Sequence, residues 1–153
     1  MTTQSGERGE EDAGQAPLPA LLTRAKDITI ELLHQRLGEE GLEGIRYRHG
    51  SVFRFIDEEG ARLTVLADRA GLTKQAIAEL VDELERLGYV ERATDPKDRR
   101  AKIIRLTERG VAGQAAAARI LRDIEQQWVL HLGQDRIAML RRTVEEIIAL
   151  HSG

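Results

Sequence analysis

Apolar residues recur every three or four positions along most of this chain, which is the spacing of amphipathic helices. Four long helices are predicted in this way, over 20–40, 45–57, 107–132 and 134–150. In the second of them Val52, Phe53 and Ile56 are expected to face inward. The pattern therefore indicates a mainly α-helical protein.

Residues 62–88 have the pattern of two helices joined by a sharp turn. Gly71 stands in the turn four residues after Ala67, Leu72 is expected to plug it, and the hydroxyl of Thr73 is placed to cap the second helix. Apolar residues follow at fixed offsets on that helix: Ile77, Leu80, Val81, Leu84 and Leu87. These offsets suit the shared core of a helix-turn-helix, although an ordinary helical hairpin would satisfy them as well.

The exposed side of the second helix begins with Lys74, Gln75 and Ala78, close to the helix N-terminus. In helix-turn-helix proteins this end enters the major groove. A glutamine can bind adenine through two hydrogen bonds, and a lysine can reach guanine or phosphate. Thr73 can touch a phosphate or the methyl group of thymine. These four residues are therefore candidates for binding DNA.

Alternating apolar and polar residues predict two strands, over 89–94 and 102–106, joined by the turn-forming run from Asp95 to Asp98. The tip of this hairpin is basic, with Lys97, Arg99, Arg100 and Lys102. Over 92–109 the chain has a surplus of four positive charges. A basic hairpin directly after a recognition helix can bind phosphates or enter a minor groove, although such a run can also be only a solvated surface.

Two arginines at the tip receive different predicted roles. Arg99 is the first candidate for the minor groove. Asp98 does not suit contact with DNA, and it is predicted to hold Arg100 through a charged hydrogen bond. The roles of Arg99 and Arg100 could also be exchanged.

The composition limits the remaining functions. The 153 residues are 41% hydrophobic and carry a net charge of -3, so any contact with DNA must depend on local charge. The absence of cysteine excludes disulfides and thiolate metal sites. The four histidines are scattered, and no phosphate-binding loop or catalytic triad is recognisable. No enzyme activity, metal or cofactor is therefore predicted.

Residues 1–19 are rich in Gly, Glu and Gln, end in a proline-containing stretch, and are predicted to form a disordered tail. They lack the basic start and apolar centre of a signal peptide. No apolar run approaches the roughly 18 residues of a membrane span. A cytoplasmic protein without a membrane partner is expected.

Several short motifs together resemble the MarR family of bacterial transcriptional regulators. The most specific is Asp98-Arg99-Arg100, followed after five residues by Leu106-Thr107. The others are Leu63-Thr64-x-Leu66-Ala67, Gly71-Leu72-Thr73, Val81-x-x-Leu84, Gly88-Tyr89-Val90-x-Arg92 and Leu106-Thr107-x-x-Gly110. The motifs span about 50 residues, and the predicted helix order extends the resemblance over 20–150.

The resemblance implies a winged helix-turn-helix fused to a helical dimerisation region. The lobe that binds double-stranded DNA would be 45–110, with dimerisation helices over 20–44 and 111–150. The resemblance also implies a homodimer, most simply a repressor, on a palindromic operator. Trp128 would lie in the dimer core or in the wall of a ligand pocket. The competing function is a winged-helix adaptor that binds proteins rather than DNA.

Members of this family that respond to small molecules often bind them in a cleft beside the second helix. In this chain that segment is unusually basic and contains Gly50. Arg46, Tyr47, His49 and Arg54 could line such a cleft and would suit a small anionic or phenolic effector. They could equally be surface residues or contacts to the DNA backbone.

Overall fold

The computed structural model describes residues 15–153, which form six helices and one β-hairpin. The helices are α1 (Leu18–Glu39), α2 (Gly50–Phe53), α3 (Leu63–Ala70), α4 (Lys74–Arg86), α5 (Glu108–Leu132) and α6 (Gln134–His151). The antiparallel strands β1 (Val90–Asp95) and β2 (Asp98–Leu106) lie between α4 and α5. The predicted mainly α fold with a small hairpin is confirmed.

The helix-turn-helix forms where the sequence predicts it. Gly71 ends α3 in the left-handed conformation, with φ of 66°, which a residue without a Cβ adopts at no steric cost. Thr73 caps α4, because its hydroxyl accepts a hydrogen bond from the backbone N–H of Ala76 at 3.1 Å. The core between the two helices is formed by fully or nearly buried side chains: Leu66, Ala67, Ile77, Val81 and Leu84.

Leu72 does not plug the turn as expected. Its side chain is 40% exposed, and the turn is closed instead by the hydrogen bond from its backbone N–H to the carbonyl of Ala67. Leu87, expected on the buried line of α4, is 37% exposed at the end of that line.

The predicted helix over 45–57 is shorter than expected, since only 47–53 is helical. Only a 3₁₀ turn over Tyr47–His49 and the four-residue α2 are helical. The ring of His49 accepts the backbone N–H of Arg46, which caps the start of this helical run two residues later than predicted. The inward positions were nevertheless correct, since Val52, Phe53 and Ile56 are buried.

The first helix begins earlier than predicted. Pro17 precedes it and Pro19 lies in its first turn, where a proline needs no hydrogen-bond partner and has a suitable φ. Residues 18 and 19, predicted as part of the tail, are therefore helical. Most of the predicted disordered tail, 1–14, lies outside the described residues.

The hairpin is tied to the helical lobe by a β-bridge at a single residue. Strand β1 pairs with β2 from Val90 opposite Leu106 to Thr94 opposite Lys102, with an irregularity before Asp95. On its other side β2 pairs with Ala61, whose N–H and C=O each bond to Ile104 at 2.8 Å. Ala61, two residues before α3, therefore fixes the hairpin beside the helix-turn-helix.

The long helices α1, α5 and α6 leave many large apolar side chains exposed. On α1 these are Leu18, Leu21, Leu22, Ile28 and Leu32; on α5 and α6 they include Leu121, Trp128, Leu130, Leu140, Ile147 and Ile148. Trp128 is 40% exposed. Within 15–153, none of the helices is both long and apolar enough to cross a membrane.

Candidate nucleic-acid interface

The N-terminal turn of α4 presents a polar, solvent-facing surface. Thr73, Lys74 and Gln75 are exposed, and the half-buried Ala78 lies one turn further along. The Thr73 hydroxyl accepts a hydrogen bond within the helix and keeps its own proton free to donate. The structure thus brings the four predicted base-reading positions together at one helix end.

The cations of the hairpin fall into two groups. At its base, Arg92 binds Asp82 and Glu85 at 2.7 Å, and Arg105 binds Glu91 at 2.6 Å. At its tip, Lys97, Arg99, Arg100 and Lys102 are exposed, and none of them forms an ion pair with a carboxylate among residues 15–153. Because the base charges are already neutralised, the uncompensated positive charge is concentrated at the tip.

The predicted bond between Asp98 and the Arg100 guanidinium is not formed. One carboxylate oxygen of Asp98 accepts the backbone N–H of Arg100 at 3.0 Å, and the other lies 3.8 Å from the guanidinium of Arg62. Asp98 therefore shapes the turn, since a short acidic side chain readily bonds to the backbone two residues on. The side chain of Arg100 remains available beside Arg99.

Arg62 anchors the hairpin to the start of α3. Its Nε and Nη2 donate to one oxygen of Asp95 at 3.0 and 2.8 Å, while the other oxygen of Asp95 accepts the N–H of Lys97 at 2.9 Å. The backbone bond from Lys97, together with the Arg62 guanidinium, holds the pKa of Asp95 below its ordinary value. The carboxylate stays ionised and keeps the tip in a fixed direction.

We expect Asp95→Asn to weaken DNA binding by about threefold to tenfold, because it loses a charged hydrogen bond to Arg62 while still accepting from Lys97. The direction of this change in DNA affinity distinguishes the anchoring role from a simple charge effect, because removing a negative charge beside DNA should by itself strengthen binding. Fluorescence anisotropy with a selected duplex measures the change. The matched control is Asp98→Asn, which removes the same charge three residues away and should bind equally or more tightly. Tighter binding by Asp95→Asn would contradict the anchoring role.

Two of the four predicted effector residues border one groove, and the other two do not line it. Arg46 and His49 border a groove of about 360 Å³ between the 44–49 segment and α4. The ring of Tyr47 is 54% exposed and does not line this groove. The guanidinium of Arg54 lies 5.9 Å from the ring of Phe55. No group of three or more His, Asp or Glu side chains within 15–153 could hold a metal ion.

His49 is a buried structural residue rather than an open ligand. Its ring is 1% exposed, Nδ1 lies 2.8 Å from the N atom of Arg46, and Nε2 lies 2.7 Å from an oxygen of Glu83. The sequence did not indicate Arg62 or Glu83 as residues that orient the candidate site. Neither stands at a recognisable spacing from its partner, so only the fold reveals them.

The arrangement of these elements defines a winged helix-turn-helix protein. A model of the MarR family matches residues 43–101. The transcriptional regulator HosA of Escherichia coli O111:H- is 28% identical over 99 residues, which cover 64% of this chain and 73% of that protein.

Two solved structures extend the similarity over α1, α5 and α6, the arm helices. CouR from Rhodococcus jostii RHA1 bound to p-coumaroyl-CoA is 29% identical, with a TM-score of 0.58 over 83% of this chain and 88% of that one. A mutant of MepR from S. aureus bound to an oligodeoxyribonucleotide is 20% identical, with a TM-score of 0.58. The match covers 88% of this chain and 98% of that chain. The chain is similar to MarR-family transcriptional regulators in both sequence and fold. The resemblance seen in the sequence is confirmed, and so is the prediction that the chain is not an enzyme.

Proposed function

We propose that this regulator is a homodimeric repressor that binds a palindromic operator in double-stranded DNA. The observation that carries the proposal is the tip of the hairpin, which is the wing of this fold: four basic side chains there have no carboxylate partner within 15–153, and Arg62 anchors the hairpin to the start of α3. A protein-interaction adaptor would have no use for uncompensated positive charge at this place. In a chain with a net charge of -3, such a local concentration favours a polyanionic partner.

Thr73, Lys74, Gln75 and Ala78 would read bases in the major groove, and the tip would bind phosphates or the minor groove. We infer that the lobe 45–110 carries these contacts. The segments 20–44 and 111–150 would pair with their counterparts in a second subunit, because one chain leaves their apolar side chains exposed. Two recognition helices then meet successive major grooves about 34 Å apart. Trp128 suits the core of this dimer.

Gln75→Ala and Arg99→Ala should impair DNA binding in different ways, the first by reducing specificity and the second by reducing affinity for all sequences. Gln75→Ala should lose about 1–3 kcal/mol of discrimination at one base pair, while binding to unrelated duplexes stays unchanged. Arg99→Ala should weaken operator and unrelated DNA alike and lower the slope of log K against log salt by about one. Selection from random duplexes followed by salt titrations measures both effects.

Arg105→Ala is the control for Arg99→Ala. It removes the same charge from the same hairpin, but from a guanidinium already bound to Glu91. It should therefore change the affinity less. Equal losses of operator and unrelated binding in the Gln75 and Arg99 variants would contradict the assignment. Failure of the wild type to bind any selected duplex, or the region next to its own gene, would favour the adaptor.

A small anionic or phenolic effector is the proposed release signal. The support is CouR, which was solved with p-coumaroyl-CoA, and the groove beside α4, where Arg46 lies near Arg48 and Arg86. We place Arg46 at this site. His49 borders the groove only as a buried residue, and the other two predicted residues, Tyr47 and Arg54, do not line it. A thermal-shift screen of phenolic and carboxylate compounds, run on the free and the DNA-bound protein, tests the idea. A true effector stabilises the free protein more than the complex.

A further inference from the structure

A chain of hydrogen bonds runs from α1 to the middle of α4 through the short segment between them. His34 on α1 accepts the backbone N–H of Tyr47 at 3.1 Å. His49 accepts the N–H of Arg46 at 2.8 Å and faces Glu83 on α4 at 2.7 Å. The segment 46–49 is thus attached to α1 through His34 and to the recognition helix α4 through Glu83.

The geometry specifies the proton positions on both rings. Because a backbone N–H can only donate, Nδ1 of His49 and Nε2 of His34 must each present a lone pair. The single ring proton of neutral His49 is then on Nε2, where it donates to the carboxylate of Glu83. A second proton on Nδ1 would face the N–H of Arg46 and break that bond.

The surroundings of His49 resist a positive charge on balance. Burial lowers its pKa below the ordinary value of 6.5, against the opposing effect of Glu83. The pKa of His34 is lowered as well, first by burial. The charged and titratable groups around His49 are Arg46 and Arg48 on its own segment, Glu83 and Arg86 on α4, and His34 on α1. Glu83 also accepts two hydrogen bonds from Arg48, so its carboxylate stays ionised.

We propose that His49 is a positioning residue for the recognition helix α4. It holds α4 in place only while its ring is neutral with the proton on Nε2. Protonation of the ring in acid therefore uncouples α4 from α1. The proposal rests on the proposed function in one respect, namely that the position of α4 controls operator affinity. The sign follows from linkage. In the uncoupled state, in which the contact between His49 and Glu83 is broken, His49 has its ordinary pKa and binds a proton at a higher pH than in the coupled state. The coupled state is therefore fully favoured above pH 6.5 and loses stability relative to the uncoupled state as the pH falls below that value.

Two variants separate the two bonds of the ring. His49→Asn can still accept from Arg46 but is too short to reach Glu83, whereas His49→Gln can place an amide N–H at the Nε2 position. Glu83→Ala removes the same link from a half-buried carboxylate and keeps the idea testable if His49→Asn folds poorly. His34→Gln, in which an amide oxygen replaces the accepting Nε2, serves as a background that no longer titrates at that position.

Operator affinity is measured by anisotropy at pH 8.0 and pH 5.5 with constant ionic strength and the duplex selected by the wild type. At pH 8.0 we expect His49→Asn and Glu83→Ala to bind about tenfold more weakly and His49→Gln to stay within threefold of wild type. Wild type and His34→Gln should lose operator affinity relative to unrelated DNA at pH 5.5, and His49→Gln should not. Equal operator affinity of His49→Asn and wild type, or an unchanged acid response in His49→Gln, would overturn the proposal.

A second measurement needs no DNA. The ¹⁵N signals of the His49 ring should show a proton on Nε2 alone at pH 8.0. After correction for the slower intrinsic exchange in acid, the protection factors of the α4 amides should fall at pH 5.5 more in the wild type than in His49→Gln. A ring protonated on Nδ1 would disprove the coupling. If these results hold while the wild type binds no duplex, the coupling stands and the proposed function fails.

Discussion

Replacing Gly110 with alanine is expected to destabilise the folded chain by about 3 kcal/mol or more. The new Cβ would overlap the carbonyl oxygen of Tyr89 and lie 2.9 Å from its carbonyl carbon. Both are backbone atoms at the start of the wing, so no side-chain rotation relieves the overlap. The start of α5 must move away from the lobe, which also breaks the bond from the N–H of Thr107 to Tyr89. A loss of about 10 °C in Tm is expected for a chain of this size.

Gly38→Ala is the matched control. Gly38 is also helical, but a Cβ there meets nothing within 4 Å, so the substitution should stabilise α1 by about 0.5–1 kcal/mol. Denaturant unfolding of both variants measures the difference. A Gly110→Ala protein as stable as wild type would show that the contact between α5 and the wing is not close.

The same contact gives a physical reason for a motif that the sequence showed only as a resemblance. Leu106-Thr107-x-x-Gly110 ends the wing and starts the long arm helix. The Thr107 hydroxyl caps α5 through the N–H of Gly110 and donates to the carbonyl of Gly88. The motif thus joins the lobe to the arm within a few residues, and only glycine lets the two backbones meet.

The helix-turn-helix was predictable because its constraints are local. A left-handed glycine, a capping threonine and apolar offsets of three and four residues act within one or two turns. The 45–57 segment was not predictable to the same degree. Its apolar positions fit a helix over the whole segment, but only 47–53 is helical, and the bond that His49 makes to Arg46 caps this run at its start.

The contacts that orient the candidate site were beyond the reach of sequence patterns. Arg62 and Asp95 are 33 residues apart, and His49 and Glu83 are 34 apart, so no helical or strand periodicity relates them. The charge count over 92–109 correctly predicted that the net charge of the hairpin is positive. It could not show that Arg92 and Arg105 are neutralised while the tip is not, since their partners depend on the fold.

The double variant Leu21→Glu/Ile28→Glu is expected to produce monomers and to weaken operator binding by more than about a hundredfold. Both side chains belong to the exposed apolar stripe of α1 and are 49% and 51% exposed in one subunit, so the subunit core is left intact. Placing four carboxylates in a two-fold interface costs far more than a dimer contact returns, because buried unpaired charges must be desolvated. Separate lobes also lose the avidity of two linked half-sites, commonly 10²–10⁴ in affinity.

Sedimentation velocity and anisotropy on one operator follow the assembly and the binding together. The control Ala20→Glu/Thr23→Glu adds the same two charges to exposed positions of the same helix, away from the stripe. It should remain dimeric and keep its operator affinity within a fewfold, apart from the small effect of added negative charge. If the stripe variant stays dimeric, α1 does not form the interface, and the exposed side chains of α5 and α6 must form it alone. If instead it is monomeric and binds as tightly as wild type, one lobe suffices for recognition and the palindromic operator is wrong.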